Sequence, residues 1–434
     1  MVCGLGASGV GAARLLRAEG AEVVAVDERD TPEGRNNAEK LKALGCVVVL
    51  GASLPPEGKF DFAVVSPGLS VDAPFLATLR QRGFPLVAEM ELGWSRFRGR
   101  TLAVTGSNGK SSVVKALAEG LRASGLQAIP CGNYGLPVCQ AVVEAPDADF
   151  LVIEVSSFQL ETCGQFRPDI GVLMNVLPNH LDRHGTFEAY ARMKARLFAN
   201  QREGDWALTP CIWREPFREW SKGRGQWMTF GTEAEADFRF HAGQLHQRAG
   251  ARIDITGSYF NNEVLGPNAA ALYGAALAAG VMPATVKETL CRFEPLPHRA
   301  QWVGDFQGVR YVNDSKATNL SAMMASIRMQ ERPVWLIAGG RPKETDFSAA
   351  TPLLQERVKG VLLIGEASAA METAWKSTVL CERCGELAYA VATARQRAQP
   401  GDVVLLAPAC TSYDQFRAYA ERGEAFRKLA SEKS

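Results

Sequence analysis

A glycine-rich segment with one lysine and several hydroxyl residues, 105–112 (TGSNGKSS), carries the clearest chemical signal in the chain. It follows an apolar run at residues 102–104, which predicts a strand, and precedes residues 113–124, whose apolar spacing predicts a helix. Such a turn points backbone N–H groups at a phosphate, and the helix N-terminus adds a partial positive charge. Lys110 can reach terminal phosphates, and Ser111 can hold Mg²⁺. The segment therefore predicts a nucleoside triphosphate site, although only two residues separate its glycines, where the common P-loop has four.

A second glycine-rich turn lies near the start of the chain, at residues 4–9 (GLGASG). Residues 10–19 predict a helix, and residues 22–26 predict a strand that leads into Asp27, about 20 residues after the glycines, where such folds contact a ribose. The pattern fits a nicotinamide dinucleotide and a UDP-linked substrate equally well, because it specifies only a diphosphate near a helix N-terminus. Val2–Cys3 is a short strand to precede this turn, so we expect further residues before it.

Three polar residues after the glycine-rich segment, Glu154, His180 and Lys194, are candidates for a metal site. Residues 149–154 predict an apolar strand that ends in Glu154, which is either a surface acid or, as in P-loop proteins, a Mg²⁺ partner. The segment 179–185 holds His180 and one more of the five histidines in the chain. Lys194 lies in a predicted helix, where a lone lysine is usually solvated. These residues alone do not decide between a metal site and an ordinary surface.

The composition describes a globular protein. A chain of 434 residues is too long for one core and predicts about two to four domains. The net charge of +1 argues against nucleic acid or an anionic membrane as the main partner. No apolar run approaches the roughly 20 residues that span a bilayer, and no signal peptide is evident. The ten scattered cysteines suit a reducing cytoplasm, and Cys381 and Cys384 form a close pair too isolated to predict zinc.

The elements that must position these residues fall into three α/β blocks. Alternating strands and helices with short connections predict parallel sheets. We predict a Rossmann-like N-terminal domain at residues 1–92, a central P-loop ATPase-like parallel-sheet domain at 93–295 and a C-terminal Rossmann-like α/β domain at 296–434. Polar residues gather after the predicted strands, and open parallel sheets bind ligands at that edge.

Four of the eight tryptophans recur at a spacing of seven within the central block. They are Trp206, Trp213, Trp220 and Trp227. Prolines and glycines between them rule out one continuous helix. We interpret them as packing residues of a peripheral excursion.

Four motifs occur in the order known from one family. They are TGSNGKS at 105–111, SSFQLE at 156–161, NDSKATN at 313–319 and PACTSYDQF at 408–416. The chain resembles the Mur ligases, and within them the branch that adds D-glutamate. The resemblance covers essentially the whole chain, and the short glycine spacing is that of the Mur-type P-loop.

The resemblance implies an ATP-dependent amide ligase. In this reaction ATP phosphorylates the carboxylate of UDP-N-acetylmuramoyl-L-alanine, the amine of D-glutamate attacks the resulting acyl phosphate, and phosphate leaves. The implied cofactors are ATP and two Mg²⁺ ions, and the implied protein is a cytoplasmic monomer without nucleic-acid or membrane partners. The N-terminal turn is then assigned to UDP rather than to a nicotinamide cofactor.

The same resemblance implies a role for each matching residue. The catalytic set is Lys110, Glu154, His180, Lys194 and Lys316. The metal ligands are Ser111, Glu154, His180 and Lys194, the last as a carbamate. The nucleotide contacts are Thr105, Gly106, Ser107, Asn108, Gly109, Lys110, Ser111, Ser112, Asn268, Arg299 and Asp314. The contacts of the UDP-linked substrate are Ala7, Ser8, Asp27, Glu28, Ser66 and Asn133, and Ser156 and Gln159 are further substrate contacts. The D-glutamate pocket is formed by Lys316, Thr318, Lys343, Ser412 and Tyr419.

Three other hypotheses compete with this one. A nicotinamide-dependent oxidoreductase would explain the turn at 4–9 and leave the P-loop unexplained. A non-catalytic P-loop protein would leave Lys194 and Lys316 without roles. A sibling Mur ligase or a folylpolyglutamate synthase would share the P-loop, but the motifs at 156–159 and 313–319 argue against it.

Overall fold

The computed structural model describes residues 1–70, 72–248 and 250–432 and contains three sheets in two compact units. The first unit comprises Met1–Asn261 and Leu265–Phe293, and the second comprises Asn262–Val264 and Glu294–Ser434. The predicted α/β class with largely parallel sheets is confirmed. The domain boundaries at residues 92 and 295 stay predictions.

The first sheet of the first unit is five-stranded and parallel, with the order β3-β2-β1-β4-β5. Its strands are β1 (Val2–Cys3), β2 (Val24–Asp27), β3 (Val47–Leu50), β4 (Ala63–Val65) and β5 (Leu86–Ala88). The helices between and after them are α1 (Ala7–Ala18), α2 (Pro32–Ala43), α3 (Pro74–Gln81) and α4 (Glu89–Arg96). Helix α1 begins three residues before the predicted start, because the apolar spacing marks only the residues that face the core.

The second sheet of this unit has nine strands in the order β14-β13-β12-β11-β10-β9-β6-β8-β7. The strands are β6 (Arg100–Thr105), β7 (Ala128–Gly132), β8 (Phe150–Glu154), β9 (Ile170–Leu173), β10 (Trp206–Pro210), β11 (Gln226–Gly231), β12 (Phe238–His241), β13 (Gln244–Gln247) and β14 (Arg252–Asp254). The helices are α5 (Lys110–Ala123), α6 (Val138–Glu144), α7 (Ser157–Leu160), α8 (Leu181–His184), α9 (Phe187–Ala195), α10 (Arg214–Ser221), α11 (Gly266–Ala278) and α12 (Pro283–Arg292). Short 3₁₀ turns occur at Arg196–Phe198 and Cys211–Trp213. Among the described residues of this sheet, the antiparallel pairings are those of β13 with β12 and β14.

The linker helix α4 fixes the first sheet to the second within this unit. It packs with α1 on helix α6. The buried carboxylate of Glu89, at the start of α4, accepts a 2.7 Å hydrogen bond from the backbone N–H of Cys139. Burial raises the pKa of Glu89 to about 7. Arg96, at the other end of α4, forms a 3.0 Å ion pair with Glu19 of the N-terminal region.

The tryptophan-rich excursion folds as strand, helix and strand, as its prolines and glycines require. Trp213, Trp220 and Trp227 pack against the core of the first unit, which confirms that they are packing residues. The prediction that this region is peripheral is wrong, because Trp206 lies in β10, the fifth of the nine strands, which pairs with β9 and β11. Trp213 and Trp220 lie 6.4 Å apart between ring centroids, and the ring of Trp227 lies 5.1 Å from that of Phe198. Helix α10 packs on α9, so this aromatic cluster supports the helix that carries Lys194.

The second unit contains a six-stranded sheet with the order β15-β16-β20-β17-β18-β19. Its strands are β15 (Gln301–Phe306), β16 (Val309–Asn313), β17 (Val334–Gly339), β18 (Val358–Ile364), β19 (Leu380–Gly385) and β20 (Val403–Leu406). Its helices are α13 (Leu320–Arg328), α14 (Thr351–Arg357), α15 (Ser368–Trp375), α16 (Leu387–Arg397) and α17 (Tyr419–Ser431), with a 3₁₀ turn at Ser348–Ala350. All pairings except that of β15 are parallel, so β16, β20 and β17 end at one edge. Apolar side chains on both faces of the sheet are buried.

Candidate active site

The phosphate-binding turn joins the end of β6 to the start of α5. Gly109 caps the helix in the left-handed region, with φ of 85°, which only glycine adopts readily. A Cβ atom at Gly109 would lie 2.8 Å from Nδ2 of Asn268. The absence of a side chain therefore lets Asn268, a predicted nucleotide contact, approach the turn.

Asn175 holds this turn in place and was not identified from the sequence. Its side-chain oxygen accepts hydrogen bonds from the backbone N–H groups of Ser107, at 3.1 Å, and Asn108, at 2.9 Å. Its amide donates to the carbonyl of Asn108 at 3.1 Å. Asn175 follows β9, which pairs with β6 in parallel. The rule that polar residues gather after neighbouring parallel strands could have identified it.

Two lysines converge on one carbonyl of the turn. The carbonyl oxygen of Gly106 accepts from Nζ of Lys110 at 2.8 Å and from Nζ of Lys194 at 3.1 Å. Lys194 is only 1% exposed, so the interpretation of this residue as a solvated surface lysine is wrong. Burial and the nearby charge of Lys110 lower the pKa of Lys194, whereas Glu154 acts in the opposite direction. The structure therefore places Lys194 beside the phosphate-binding turn, 84 residues after Lys110 in the chain.

Glu154 connects the phosphate-binding turn to the neighbouring strand. It is 3% exposed, which excludes the surface-acid interpretation. One carboxylate oxygen accepts a 2.5 Å hydrogen bond from the hydroxyl of Ser111, and the other accepts a 2.7 Å bond from the side-chain amide of Asn133. A single carboxylate thus contacts a predicted nucleotide residue and a predicted contact of the UDP-linked substrate.

The oxygen donors at this point fit a hard divalent cation. The Ser111 hydroxyl and the Glu154 carboxylate are adjacent and buried, and both are ligand types that Mg²⁺ prefers. Within the described ranges, no three or more histidine, cysteine, aspartate or glutamate side chains group closely enough to hold a metal. The fit of Mg²⁺ therefore depends on Ser111 and Glu154, and the metal roles of His180 and Lys194 stay predictions.

His180 lies in a segment packed around Phe158. Its backbone is left-handed, with φ of 55°, and its ring centroid lies 4.9 Å from that of Phe158. The guanidinium of Arg183 stacks over the Phe158 ring, 4.1 Å from its centroid. Arg183 also forms an ion pair with Glu161 and donates a 3.0 Å hydrogen bond to the carbonyl of Leu69. Arg183 thus links the helix that follows His180 to the N-terminal region.

Ser156 and Gln159 form a capping box at the start of α7. The Ser156 hydroxyl accepts from the Gln159 backbone N–H at 3.2 Å, and Gln159 Oε1 accepts from the Ser156 N–H at 2.8 Å. Both side chains therefore have a local structural task in addition to their predicted substrate contact.

The predicted UDP residues surround the N-terminal turn. The carboxylate of Asp27 accepts a 2.8 Å hydrogen bond from the backbone N–H of Leu5, and the Ser66 hydroxyl donates to the Gly4 carbonyl at 3.2 Å. Asp27 and Ser66 thereby shape the turn itself. Ala7 and Glu28 are exposed and Ser8 is partly exposed, as residues that face a ligand would be.

In the second unit, Arg299 and Asp314 lie near each other. Burial raises the pKa of Asp314 to about 6, and the positive charge of Arg299 partly opposes this shift. The residues on both sides of Arg299 have left-handed backbones, with φ of 62° at His298 and 43° at Ala300. The structure therefore brings together two predicted nucleotide contacts.

The predicted D-glutamate residues follow strands that end at one sheet edge. Lys316 and Thr318 follow β16, Lys343 follows β17 and Ser412 follows β20. The ammonium of Lys316 lies 3.8 Å from the ring centroid of Tyr419, the first residue of α17. Ser412 is buried and Lys343 is exposed. The pocket as a whole stays a prediction.

A phosphate-binding turn after a central parallel strand, in a protein of three α/β sheets, is typical of a nucleotide-dependent enzyme. The chain matches the Mur ligase MurD-like N-terminal domain at residues 1–88, the Mur ligase middle domain at 104–274 and the Mur ligase glutamate ligase domain at 298–410. The chain belongs to the Mur ligase family.

Curated relatives match the chain along nearly its entire length. A UDP-N-acetylmuramoylalanine--D-glutamate ligase from Koribacter versatilis is 37% identical over 99% of this chain and 96% of its own. A protein of the same name from Nitratidesulfovibrio vulgaris is 38% identical over 98% of this chain and 94% of its own.

Solved structures share the fold at low identity. The MurF ligase of Thermotoga maritima, in complex with ADP, has a TM-score of 0.62 at 17% identity and covers 94% of both chains. A MurF from Acinetobacter baumannii has a TM-score of 0.63 at 18% identity, covering 95% of this chain and 92% of that one.

Proposed function

We propose that this chain adds D-glutamate to UDP-N-acetylmuramoyl-L-alanine, with conversion of ATP to ADP and phosphate, during peptidoglycan precursor synthesis in the cytoplasm. The names of the full-length relatives support the choice of substrates. The structural observation that carries the proposal is the position of Glu154. Its carboxylate contacts both the phosphate-binding turn, at Ser111, and a predicted contact of the UDP-linked substrate, at Asn133.

The need to activate the carboxylate of UDP-N-acetylmuramoyl-L-alanine explains the charges around the turn. A carboxylate is a poor electrophile, and its phosphorylation supplies a leaving group. The protein must then bring an anionic carboxylate to an anionic phosphate and neutralise the charge that develops. We assign this neutralisation to Lys110 and to the N-terminus of α5, which lie at the turn. The hydrogen bonds that Asn175 accepts from the backbone of Ser107 and Asn108 support the turn in this form.

Mg²⁺ fits the oxygen donors of Ser111 and Glu154, and it would supply charge neutralisation at the phosphates. For a second ion we propose His180 and a carbamate of Lys194. The buried Lys194 amine has a lowered pKa, and the neutral amine is the form that reacts with CO₂. The carbamate would turn a cation into an anionic oxygen ligand.

The second unit supplies groups for the acceptor and the nucleotide. D-glutamate carries two carboxylates, and each needs a charged partner. We assign Lys316 and Lys343 to them, with Thr318, Ser412 and Tyr419 completing the pocket. As the resemblance implies, we also propose Arg299 and Asp314 of this unit, and Asn268 of the first unit, as nucleotide contacts. In the first sheet, the turn at 4–9 would hold the UDP group, and we propose that the protein acts as a monomer without nucleic-acid or membrane partners.

In the part of the chain that the structure describes, no helix is long and apolar enough to cross a membrane.

The deciding experiment measures phosphate release with ATP, Mg²⁺ and UDP-N-acetylmuramoyl-L-alanine against a panel of amino acids. We expect strong stimulation by D-glutamate and little by L-glutamate. Equal stimulation by both enantiomers would contradict the acceptor assignment. Stimulation by a different amino acid would support a sibling ligase, and nucleotide binding without acceptor-dependent release would support a non-catalytic protein.

A further inference from the structure

Arg422 is a buried arginine on helix α17 that none of the motifs includes. Its side chain is among the largest that are fully buried, with 1% of its surface exposed. All of its recorded hydrogen bonds go to neutral oxygens. Within the described residues, no carboxylate lies at ion-pair distance from it, although the charge of Asp414 acts on it from farther away.

The guanidinium joins two loops that are far apart in the chain. Nε donates to the Ser315 hydroxyl at 3.0 Å, and Nη2 donates to the Ser315 carbonyl at 2.9 Å. Nη2 also donates to the Cys410 carbonyl at 3.0 Å, and Nη1 donates to the Thr411 carbonyl at 3.3 Å. Ser315 precedes Lys316, and Thr411 precedes Ser412, so each loop carries a residue of the predicted acceptor pocket.

The start of α17 is fixed to the same region by further contacts. The Ser315 hydroxyl donates to the carbonyl of Tyr419 at 2.8 Å, and the side-chain amide of Asn313 donates to the carbonyl of Gly423 at 2.9 Å. A Cβ at Gly423 would lie 2.3 Å from Nδ1 of His298, so glycine is required for this close packing. The position of Arg422 is therefore set by the fold on several sides.

A cation at this position is costly unless something nearby uses its charge. Burial of an unpaired charge is unfavourable, and burial lowers the pKa of Arg422 to about 10. An apolar side chain would avoid this cost but would remove the donor to the carbonyls of Ser315, Cys410 and Thr411. An anionic ligand at the neighbouring loops would offset the cost, because electrostatic attraction is stronger where water is excluded.

We infer that Arg422 is a positioning residue for the acceptor: it sets the distance between the loop of Lys316 and the loop of Ser412 and supplies a fixed positive charge for a dianionic amino acid. The inference rests on the proposed function and deepens it. Arginine suits this task because its planar fork donates in several fixed directions at once, which an ammonium group cannot do.

The test compares Arg422→Lys and Arg422→Met with the unmodified full chain. We measure kcat and the KM of each of the three substrates, together with thermal unfolding. Arg422→Lys should raise the KM for D-glutamate by about tenfold or more and leave the KM values for ATP and the UDP-linked substrate within about twofold. Arg422→Met should raise the KM for D-glutamate further, because it also removes the charge.

Arg395→Lys is the matched control. Arg395 is also partly buried in this unit and donates to the carbonyl of Leu429 on α17 at 2.7 Å, away from the two loops. We expect it to leave the KM for D-glutamate unchanged. An equal rise in this variant would show that any loosening of α17 has the same effect, and it would overturn the inference.

Ser315→Ala keeps the inference testable if the Arg422 variants do not fold. It removes the hydroxyl acceptor but leaves the Ser315 carbonyl in place, so we expect a smaller rise in the KM for D-glutamate alone. An unchanged KM for D-glutamate in Arg422→Lys would overturn the inference. If the Arg422 variants do not fold, an unchanged KM for D-glutamate in Ser315→Ala would overturn it instead. Failure of the proposed function is distinguishable, because the unmodified chain would then show no D-glutamate-dependent phosphate release.

Discussion

The phosphate-binding region of the first unit and the acceptor region of the second treat buried charge in opposite ways. In the first region the charges lie close to one another: Glu154 contacts Ser111 and acts on the pKa of Lys194, which also responds to Lys110. In the second region, Arg422 is buried against neutral carbonyls and one hydroxyl. A region with both signs of charge suits a ligand that brings its own cations, as a nucleotide with Mg²⁺ does. The acceptor region, where the predicted pocket adds Lys316 and Lys343 to Arg422, favours a ligand that carries two carboxylates, as D-glutamate does.

The two regions also differ in how they are assembled. The phosphate-binding turn is one continuous strand, turn and helix that local sequence indicates, and Asn175, after β9, supports it with hydrogen bonds. The acceptor region depends on contacts between residues that lie far apart, such as Ser315 and Arg422, which are 107 positions apart. We therefore expect changes in the first region to affect the chemical step and changes in the second to affect acceptor affinity.

Glu154→Gln should have the largest effect. It keeps the size of the side chain but removes the negative charge beside Ser111 and Asn133. We expect kcat to fall by about 10²–10³-fold, the range for loss of one preorganised electrostatic group, with little change in the KM for D-glutamate. Asp149→Asn, at the opposite end of β8, is the control and should keep its activity. A Glu154→Gln effect confined to the KM for D-glutamate would remove the contrast between the regions.

Lys194→Ala should have the second-largest effect. We expect a loss of roughly 10²-fold in kcat and partial recovery with added acetate, since a short carboxylate can replace the oxygen ligand of the proposed carbamate. NMR with ¹³C-labelled bicarbonate should show a carbamate signal in the unmodified protein and none in the variant. Acetate should not stimulate the unmodified protein. If no carbamate signal is found, the lysine acts only as a buried amine.

The stability of the protein should depend on pH through Glu89. Its folded pKa is about 7, above its ordinary value of 4.5, so the folded state holds a proton that the unfolded state releases. Stability is therefore highest below pH 4.5 with respect to this group and falls as the pH rises towards 7, by up to ~3 kcal/mol. Glu89→Gln should remove this slope in chemical denaturation at several pH values. A slope that survives in the variant would assign it to other groups.

Ser156→Ala should have the smallest effect. Loss of the capping hydroxyl should cost about 1 kcal/mol of stability. If Ser156 also contacts a substrate, as predicted, the KM for that substrate should rise by a few fold, while the KM values for the others stay constant. A loss of stability with unchanged KM values would limit Ser156 to its structural task.

Several strands and the phosphate-binding turn could be predicted from the sequence, because short apolar runs and glycine-rich turns are local signals. Strand β8, for example, ends at Glu154 as predicted and begins one residue after the predicted start. The burial of Lys194 could not be predicted in this way, since a lysine on a helix carries no sign of what packs around it. Asn175 and Arg422 escaped notice because neither belongs to a motif with a known spacing.

The amino-acid sequence by itself determined the α/β class, the family and the residues able to hold a nucleotide, because each of these depends on local pattern and motif order. Only the tertiary structure decided which of those residues contact one another. It joined Glu154 to Ser111 and Asn133, brought Lys194 onto the carbonyl of Gly106, and placed the guanidinium of Arg422 between two distant loops. These contacts depend on which strands become neighbours in a sheet and on which charged groups become buried, and local sequence determines neither.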